Sequence, residues 1–306
     1  MNGFLVINKP AGITSHDAVA FARRRLKTKK IGHAGTLDPL ATGVLVLGIG
    51  AGTRLLEYLV GCDKEYEAEI TFGARSNTCD ADGEITADPK AQEFTRDDLE
   101  NVLQEFTGKI SQLPPQFSAI KVDGKAAYER ARAGEKVLLS PRQIKIFSLA
   151  LRQFSYPKAE IKIHCGSGTY VRALARDLGE RLGTGAYLSK LTRTRVGDFQ
   201  INQALPLKSI RPEKLLPLEE GILFPQISLT RVEAEKISMG QKIPARTSET
   251  RVAGFFEGRL LAILEREEKK HSLKPAKVFV SCELPVASYQ KRDKEEFLTK
   301  KIGQQF

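Results

Sequence analysis

The chain has 306 residues, 41% hydrophobic and 28% charged, a balance that suits a folded protein with a sizeable core and excludes a disordered or fibrous one. Lysine and arginine number 48 against 37 acidic residues, a formal charge of +11, which points first to a polyanionic partner such as nucleic acid. Cys62, Cys79, Cys165 and Cys282 show no disulfide-framework or zinc-ligand spacing, and no run approaches ~18 apolar residues, so metal, disulfide and membrane classes are set aside.

The first expected strand is Phe4 to Ile7, stopped by KPAG. This opening has no basic region ahead of its short apolar core, so it does not read as a signal peptide, and the chain reads as cytoplasmic. Thr14 with Asp17 forms a capping-box pattern, and Ala18, Val19, Ala22 and Leu26 follow at helical spacing. The helix ends in RRRLKTKK, residues 23–30. Those cations suit the negative pole of a helix or a phosphate backbone equally well.

GHAGTLDPLATGVLVLG, residues 32–48, comes next. Asp38 before a proline fits a helix N-cap followed by proline at N1, with Gly43 ending a single turn. His33, Gly35 and Thr36 make a compact polar loop that leads into a buried strand, Val44 to Ile49. Glycines 48, 50 and 52 miss the spacing of a dinucleotide loop. Residues 65–72, EYEAEITF, alternate: Tyr66, Ala68, Ile70 and Phe72 share one face, and Glu65, Glu67 and Glu69 the other. SNTCDADGE reads as turns. Thr95 and Asp98 open another capped helix, and a basic helix is expected around Ala126 to Ala133.

AEIKIHC at 159–165 alternates again. The turn GSGTY follows, then a helix with Val171, Leu174, Ala175, Leu178 and Leu182 on one stripe and Gly183 as its stop. Ser167 lacks the flanking glycines of a nucleophile elbow and reads as turn chemistry. Arg172 lies on the first turn of this helix, where a cation is unfavourable, so a carboxylate partner is expected nearby. If that partner is Asp38, the pair keeps the aspartate ionised, as a carboxylate nucleophile requires. Taken singly, His33 reads as a structural histidine and Tyr66 as a sheet-face aromatic.

Beyond residue 225 the texture changes to one short helix, Arg231 to Met239, and short strand-like runs with a hairpin turn at 257–259. The expected organisation is a catalytic body over 1–225, a small β-rich module over 226–287 and a polar tail over 288–306. The fold class is α+β, with a mixed, mainly antiparallel sheet flanked by helices.

GHAGTLDPLATGVL resembles the aspartate motif of pseudouridine synthases in the form carried by the bacterial TruB family of tRNA pseudouridine-55 synthases. NKPAGITSHDAV, DKEYEAEITFGARSNTCDADGE, PPQFSAIKVDGKAAYERARAGE and HCGSGTYVRALARDLGERLGTGAYLSKLTRTRVG resemble that family too, in its order. The resemblance implies the pseudouridine synthase fold and conversion of uridine to pseudouridine in the T-loop of tRNA, at position 55. No cofactor is implied. It makes Asp38 the catalytic aspartate, Arg172 its partner and Tyr66 the residue that stacks on the target base and assists proton removal. It also makes His33 a neighbour of the flipped nucleotide, and Tyr170 and Leu191 walls of the uracil pocket. Attack on the sugar and removal of a sugar proton are both open to Asp38.

The tail module resembles a small PUA-type RNA-binding domain. Lys9, Arg23, Arg24, Lys27, Arg193 and Arg195 are candidate contacts to the RNA backbone. The expected partner is the tRNA T-arm, bound by a monomer that needs no protein partner. A non-catalytic RNA binder would also account for the charge, but it has no need of Asp38 together with Arg172.

Overall fold

The computed structural model describes residues 1–117, 121–122, 125–126, 130, 138–267 and 271–279. The expected basic helix around Ala126 to Ala133 and the polar tail lie largely or wholly outside the described residues. Two compact units are present, Met1–Gly221 and Ile222–Phe306.

The first unit is built on a ten-stranded sheet. In chain order its elements are β1 (Gly3–Lys9), α1 (Ser15–Leu26), β2 (Ile31–His33), β3 (Thr42–Ile49), α2 (Leu56–Val60) and β4 (Lys64–Phe72). A side hairpin follows, β5 (Ala74–Ser76) and β6 (Ile85–Ala87), then α3 (Arg96–Glu105) and β7 (Gly108–Gln112). After the two-residue strands β8 (Lys121–Val122) and β9 (Lys125–Ala126) come β10 (Arg142–Ser155), β11 (Lys158–Cys165), α4 (Val171–Arg181) and β12 (Ala186–Val196). The unit closes with β13 (Phe199–Gln200) and β14 (Leu205–Pro206). The main path runs β14-β1-β3-β12-β4-β11-β10-β7, with β2 on β3 and β13 on β12. Among the described residues of this sheet only β1 with β14 and β3 with β12 pair in parallel, so the sheet is mixed and mainly antiparallel as expected.

The helix starts follow from local chemistry. Thr14 and Thr95 each accept from a backbone N–H three residues on, while Asp17 and Asp98 return a carboxylate to the cap N–H. Ala18, Val19, Ala22 and Leu26 then face the core. In β4 the alternation holds: Tyr66, Ala68, Ile70 and Phe72 are buried with the neighbouring strands' aliphatics. Glu65 and Glu69 on the opposite face pair with Lys162, Arg195, Lys158 and Lys190.

One local expectation is overturned. Asp38-Pro39 starts no helix: the Ala41 N–H bonds the Asp38 carbonyl at 3.1 Å in an isolated turn, and the chain goes straight into β3 at Thr42. Among the described residues the Asp38 side chain caps no helix; it lies against Arg172.

The second unit is a five-stranded sheet ordered β15-β17-β18-β19-β16, formed by β15 (Gln226–Ser228), β16 (Ile243–Pro244), β17 (Arg251–Phe256), β18 (Arg259–Glu267) and β19 (Ser272–Val278). Helix α5 (Arg231–Ser238) buries Ala234 and Ile237 in this unit's own core. Glu257 and Gly258, both at positive φ, make the tight turn between β17 and β18.

Candidate active site

The aspartate loop, residues 34–41, is held from two sides. Ser15, the first residue of α1, exchanges hydrogen bonds with the Leu37 backbone: its Oγ accepts at 2.8 Å from the Leu37 N–H and donates at 3.0 Å to the Leu37 carbonyl. Lys9 ends β1 fully buried, and its ammonium donates to the carbonyls of Pro10, Ile13 and Pro39 at 2.9, 2.8 and 3.3 Å. From the other side, Arg193 of β12 donates to the carbonyls of Val44 at 2.8 Å, Gly35 at 3.1 Å and Thr36 at 3.4 Å. Gly43 lets β3 approach β12 here. At φ 101° it lies so close that a Cβ would sit 2.2 Å from the Arg193 carbonyl oxygen.

Arg172 reaches Asp38 from the first turn of α4. Its Nε is 2.9 Å from Asp38 Oδ2, a contact between charges rather than an aligned hydrogen bond. The same guanidinium places Nη1 3.2 Å from Asp80 Oδ2 and donates to the Thr78 and Phe117 carbonyls, each at 3.0 Å. The pair is recessed: Arg172 is 6% exposed and Asp80 3%, while the Asp38 side chain keeps 36% of its surface open. Asp80 therefore braces the arginine from behind, and sequence reading missed it by taking its segment as turns. Tyr170 precedes the helix with no side-chain cap of its own. The buried Gln112 amide serves instead, accepting from the Tyr170 N–H at 2.9 Å and donating to its carbonyl at 3.1 Å.

The Asp38 carboxyl is pushed above the ordinary carboxylate value. Burial is the largest cause, Arg172 opposes it, and the Asp80 carboxylate adds to it. Burial also lowers His33, with Arg193 adding to the effect, so the imidazole is held neutral. Burial pushes Tyr66 up, with Arg193 opposing, and the side chain stays a phenol.

Asp38, Tyr66, Arg172, His33, Tyr170 and Leu191 all line one pocket of about 480 Å³, joined by Lys64, Thr169, Phe117 and Arg193. That volume falls in the range of small-molecule sites. The backbone candidates fare differently. Lys9 and Arg193 are fully buried, with their donors turned to loop carbonyls; the burial corrects the expectation that they face a phosphate backbone. Arg195 is taken up by Asp63 and Glu65 at 2.8 and 2.9 Å and lines no part of the pocket. Arg23, Arg24 and Lys27 stand exposed at the end of α1, where Arg23 also donates to the Ile31 carbonyl. Among the described residues, no group of three His, Cys, Asp or Glu side chains could hold a metal ion.

Comparison with known proteins gives consistent family matches. Residues 23–171 match the TruB family pseudouridylate synthase N-terminal domain, and residues 172–220 match the tRNA pseudouridylate synthase B C-terminal domain. Both matches fall inside the first compact unit. The tRNA pseudouridine synthase B of Corynebacterium aurimucosum is 41% identical over 278 residues, 88% of this chain and 94% of that protein. That of Thermus thermophilus is 40% identical over 306 aligned positions, 89% of this chain and 97% of that protein. Among solved structures, a chain of a Cbf5-Nop10-Gar1 complex superposes with a TM-score of 0.71 at 24% identity, covering 91% of this chain and 85% of that one.

Proposed function

The chain belongs to the TruB family of pseudouridylate synthases, and from that premise we propose how its own residues turn uridine into pseudouridine in tRNA, at position 55 of the T-loop. The observation that carries the reading is the Asp38–Arg172 ion pair in the wall of a pocket also lined by Tyr66, Tyr170 and Leu191.

A base inside a folded loop must leave its stack before its glycosidic bond can be reached. The Tyr66 ring offers the stacking surface, Tyr170 and Leu191 bound the uracil, and His33 stands beside the flipped nucleotide. Asp38, whose carboxylate form Arg172 favours against the effect of burial, starts cleavage of the C1′–N1 bond by attack at C1′ or by removal of a sugar proton. The freed base turns and its C5 joins C1′, as the Asp38–C1′ bond breaks on the first route or the sugar carbon takes its proton back from Asp38 on the second; the C5 proton then leaves and N1 gains one. Substrate and product are isomers, so the reaction has no net redox change and asks for no cofactor.

Outside the pocket, Arg23, Arg24 and Lys27 suit backbone phosphates of the T-arm. The β-rich second unit suits a PUA-like RNA-binding role, with the catalytic domain occupying the first. The enzyme acts as a monomer in the cytoplasm, without a protein partner; no helix among the described residues is long and apolar enough to cross a membrane. The test is pseudouridine mapping by position in tRNA treated with wild type and with Asp38→Asn. Full activity in the variant, or product at positions other than 55, would refute the assignment.

A further inference from the structure

We propose that the Lys64 ammonium is a catalytic group of this pocket, one that faces the extruded uracil and neutralises the negative charge the base acquires when its bond to the sugar breaks. The inference deepens the reading above and rests on it.

Lys64 opens β4 two residues before Tyr66, so both side chains project from the same buried face of the strand, about 6.5 Å apart along it. Both line the pocket. A base stacked on the Tyr66 ring thus has Lys64 as the next side chain along the strand, within reach of a lysine's four-carbon stem. The position relative to the aspartate loop agrees: a Cβ added to Gly35 would lie 3.8 Å from Lys64 Cε and 3.7 Å from Arg193 Nη1.

The bonding of Lys64 is incomplete in a telling way. Lys64 is 7% exposed, and its Nζ donates to the Val60 carbonyl at 2.9 Å and the Cys62 carbonyl at 2.5 Å. An ammonium carries three protons, so one is left without a carbonyl acceptor among the described residues, and Lys64 lines the pocket. Among the described residues no carboxylate forms an ion pair with it. Lys9 is the instructive contrast, since its three protons all meet carbonyls and its role ends there. Arg172 contrasts in the other direction, with two carboxylates against it. A buried cation without a counter-anion is costly, and burial, with Arg193 nearby, pulls Lys64 below the usual lysine range. Such a group is arranged for an anion that arrives during the reaction.

That anion is the base itself. If Asp38 attacks, a carboxylate oxygen bonds to C1′ and the C1′–N1 electron pair leaves with the uracil. If Asp38 takes the C2′ proton, the C2′–H pair forms a C1′–C2′ double bond and the C1′–N1 pair again leaves with the uracil. Either way the base becomes a monoanion, its charge spread over N1, O2 and O4. It is neutral in the bound substrate, so an ammonium beside it favours the transition state over the ground state and raises the rate rather than the affinity.

The rival occupant for the spare proton is a backbone phosphate, which is charged before and after the reaction and would show in binding alone. Single-turnover rates on a T-arm RNA carrying uridine or 5-fluorouridine at the target separate the two. Fluorine stabilises the uracil anion, so a good leaving group needs the ammonium less. Lys64→Gln keeps an amide donor for the Val60 and Cys62 carbonyls but removes the charge. The expected result is a rate on uridine lowered about 100-fold, with a defect at least tenfold smaller on 5-fluorouridine and an RNA Kd within about threefold of wild type. Equal slowing of both substrates, or a change confined to Kd, overturns the proposal. If Lys64→Gln does not fold, Lys64→Arg takes its place: its more diffuse charge should give a smaller defect, about fivefold, with the same dependence on substrate, and equal slowing again overturns it. Turnover of uridine by wild type tests the parent reading separately.

Discussion

Arg172 stands between two carboxylates, and the three groups should respond to substitution with opposite signs. In the proposed mechanism Asp38 acts ionised, so the rate should rise with pH through the Asp38 pKa, which lies above the ordinary aspartate value. Arg172 lowers that pKa and Asp80 raises it. Asp80→Asn should therefore move the acid limb of the rate profile to lower pH, and Arg172→Met should move it to higher pH. The plateau should fall in both. Asp80 meets Arg172 Nη1 at 3.2 Å with both side chains almost fully buried. Removing one partner of a buried pair costs about 3–5 kcal/mol, but Arg172 keeps Asp38 and two carbonyl acceptors, and asparagine keeps an oxygen. A loss of about 1.5–3 kcal/mol is the reasonable scale for one hydrogen bond to a charged group, and it corresponds to a plateau roughly 10- to 150-fold lower if it all falls on the transition state. Tritium release from C5-labelled uridine in tRNA, under single-turnover conditions across pH, reads both quantities. If the two acid limbs move in the same direction, Asp80 is not acting through the field at Asp38 and the bracing argument fails.

The remaining expectations concern stability and binding. Burial holds Asp38 above its unfolded pKa, so the folded state binds the proton more tightly and Asp38 takes stability away as pH rises through that range; Asp38→Asn, inactive, should melt at or above wild type at pH 7 and lose that part of the pH dependence in calorimetry. Gly43→Ala places a Cβ 2.2 Å from the Arg193 carbonyl at a positive φ, and should cost at least about 3 kcal/mol and several degrees in Tm. The double variant Arg24→Gln, Lys27→Gln should lower the slope of log Kd for tRNA against log salt by about 2 if both contact phosphates, while leaving the saturated rate unchanged; an unchanged slope would make both idle surface charges.

Which parts of this architecture are legible in the sequence depends on how far apart the partners lie. The caps at Thr14 and Thr95 need only the next three residues, and the exposed and buried faces of β4 need only an alternation of two. Both are local, and both read directly. The Asp38–Arg172 pair spans the length of the body, yet a local signal pointed to it: a cation on the first turn of a helix is out of place without an anion. Asp80 sends no such signal. Its segment does form turns, and its second role exists only because β12 and the start of α4 fold back over it. Lys9 and Arg193 show the converse limit. A lysine or arginine reads as surface because burying one is costly, and the compensation is invisible in sequence: carbonyls of Gly35, Thr36, Pro39 and Val44 turned toward them by the loop's own path. Long-range order is lost in the same way, since nothing near residues 186–196 announces that this strand inserts between β3 and β4. That insertion is what makes the site. It sets Leu191 and Arg193 beside Tyr66 and against the aspartate loop, so that a buried cation of β12, with Lys9 from β1, acts as a strut for the loop that carries the carboxylate.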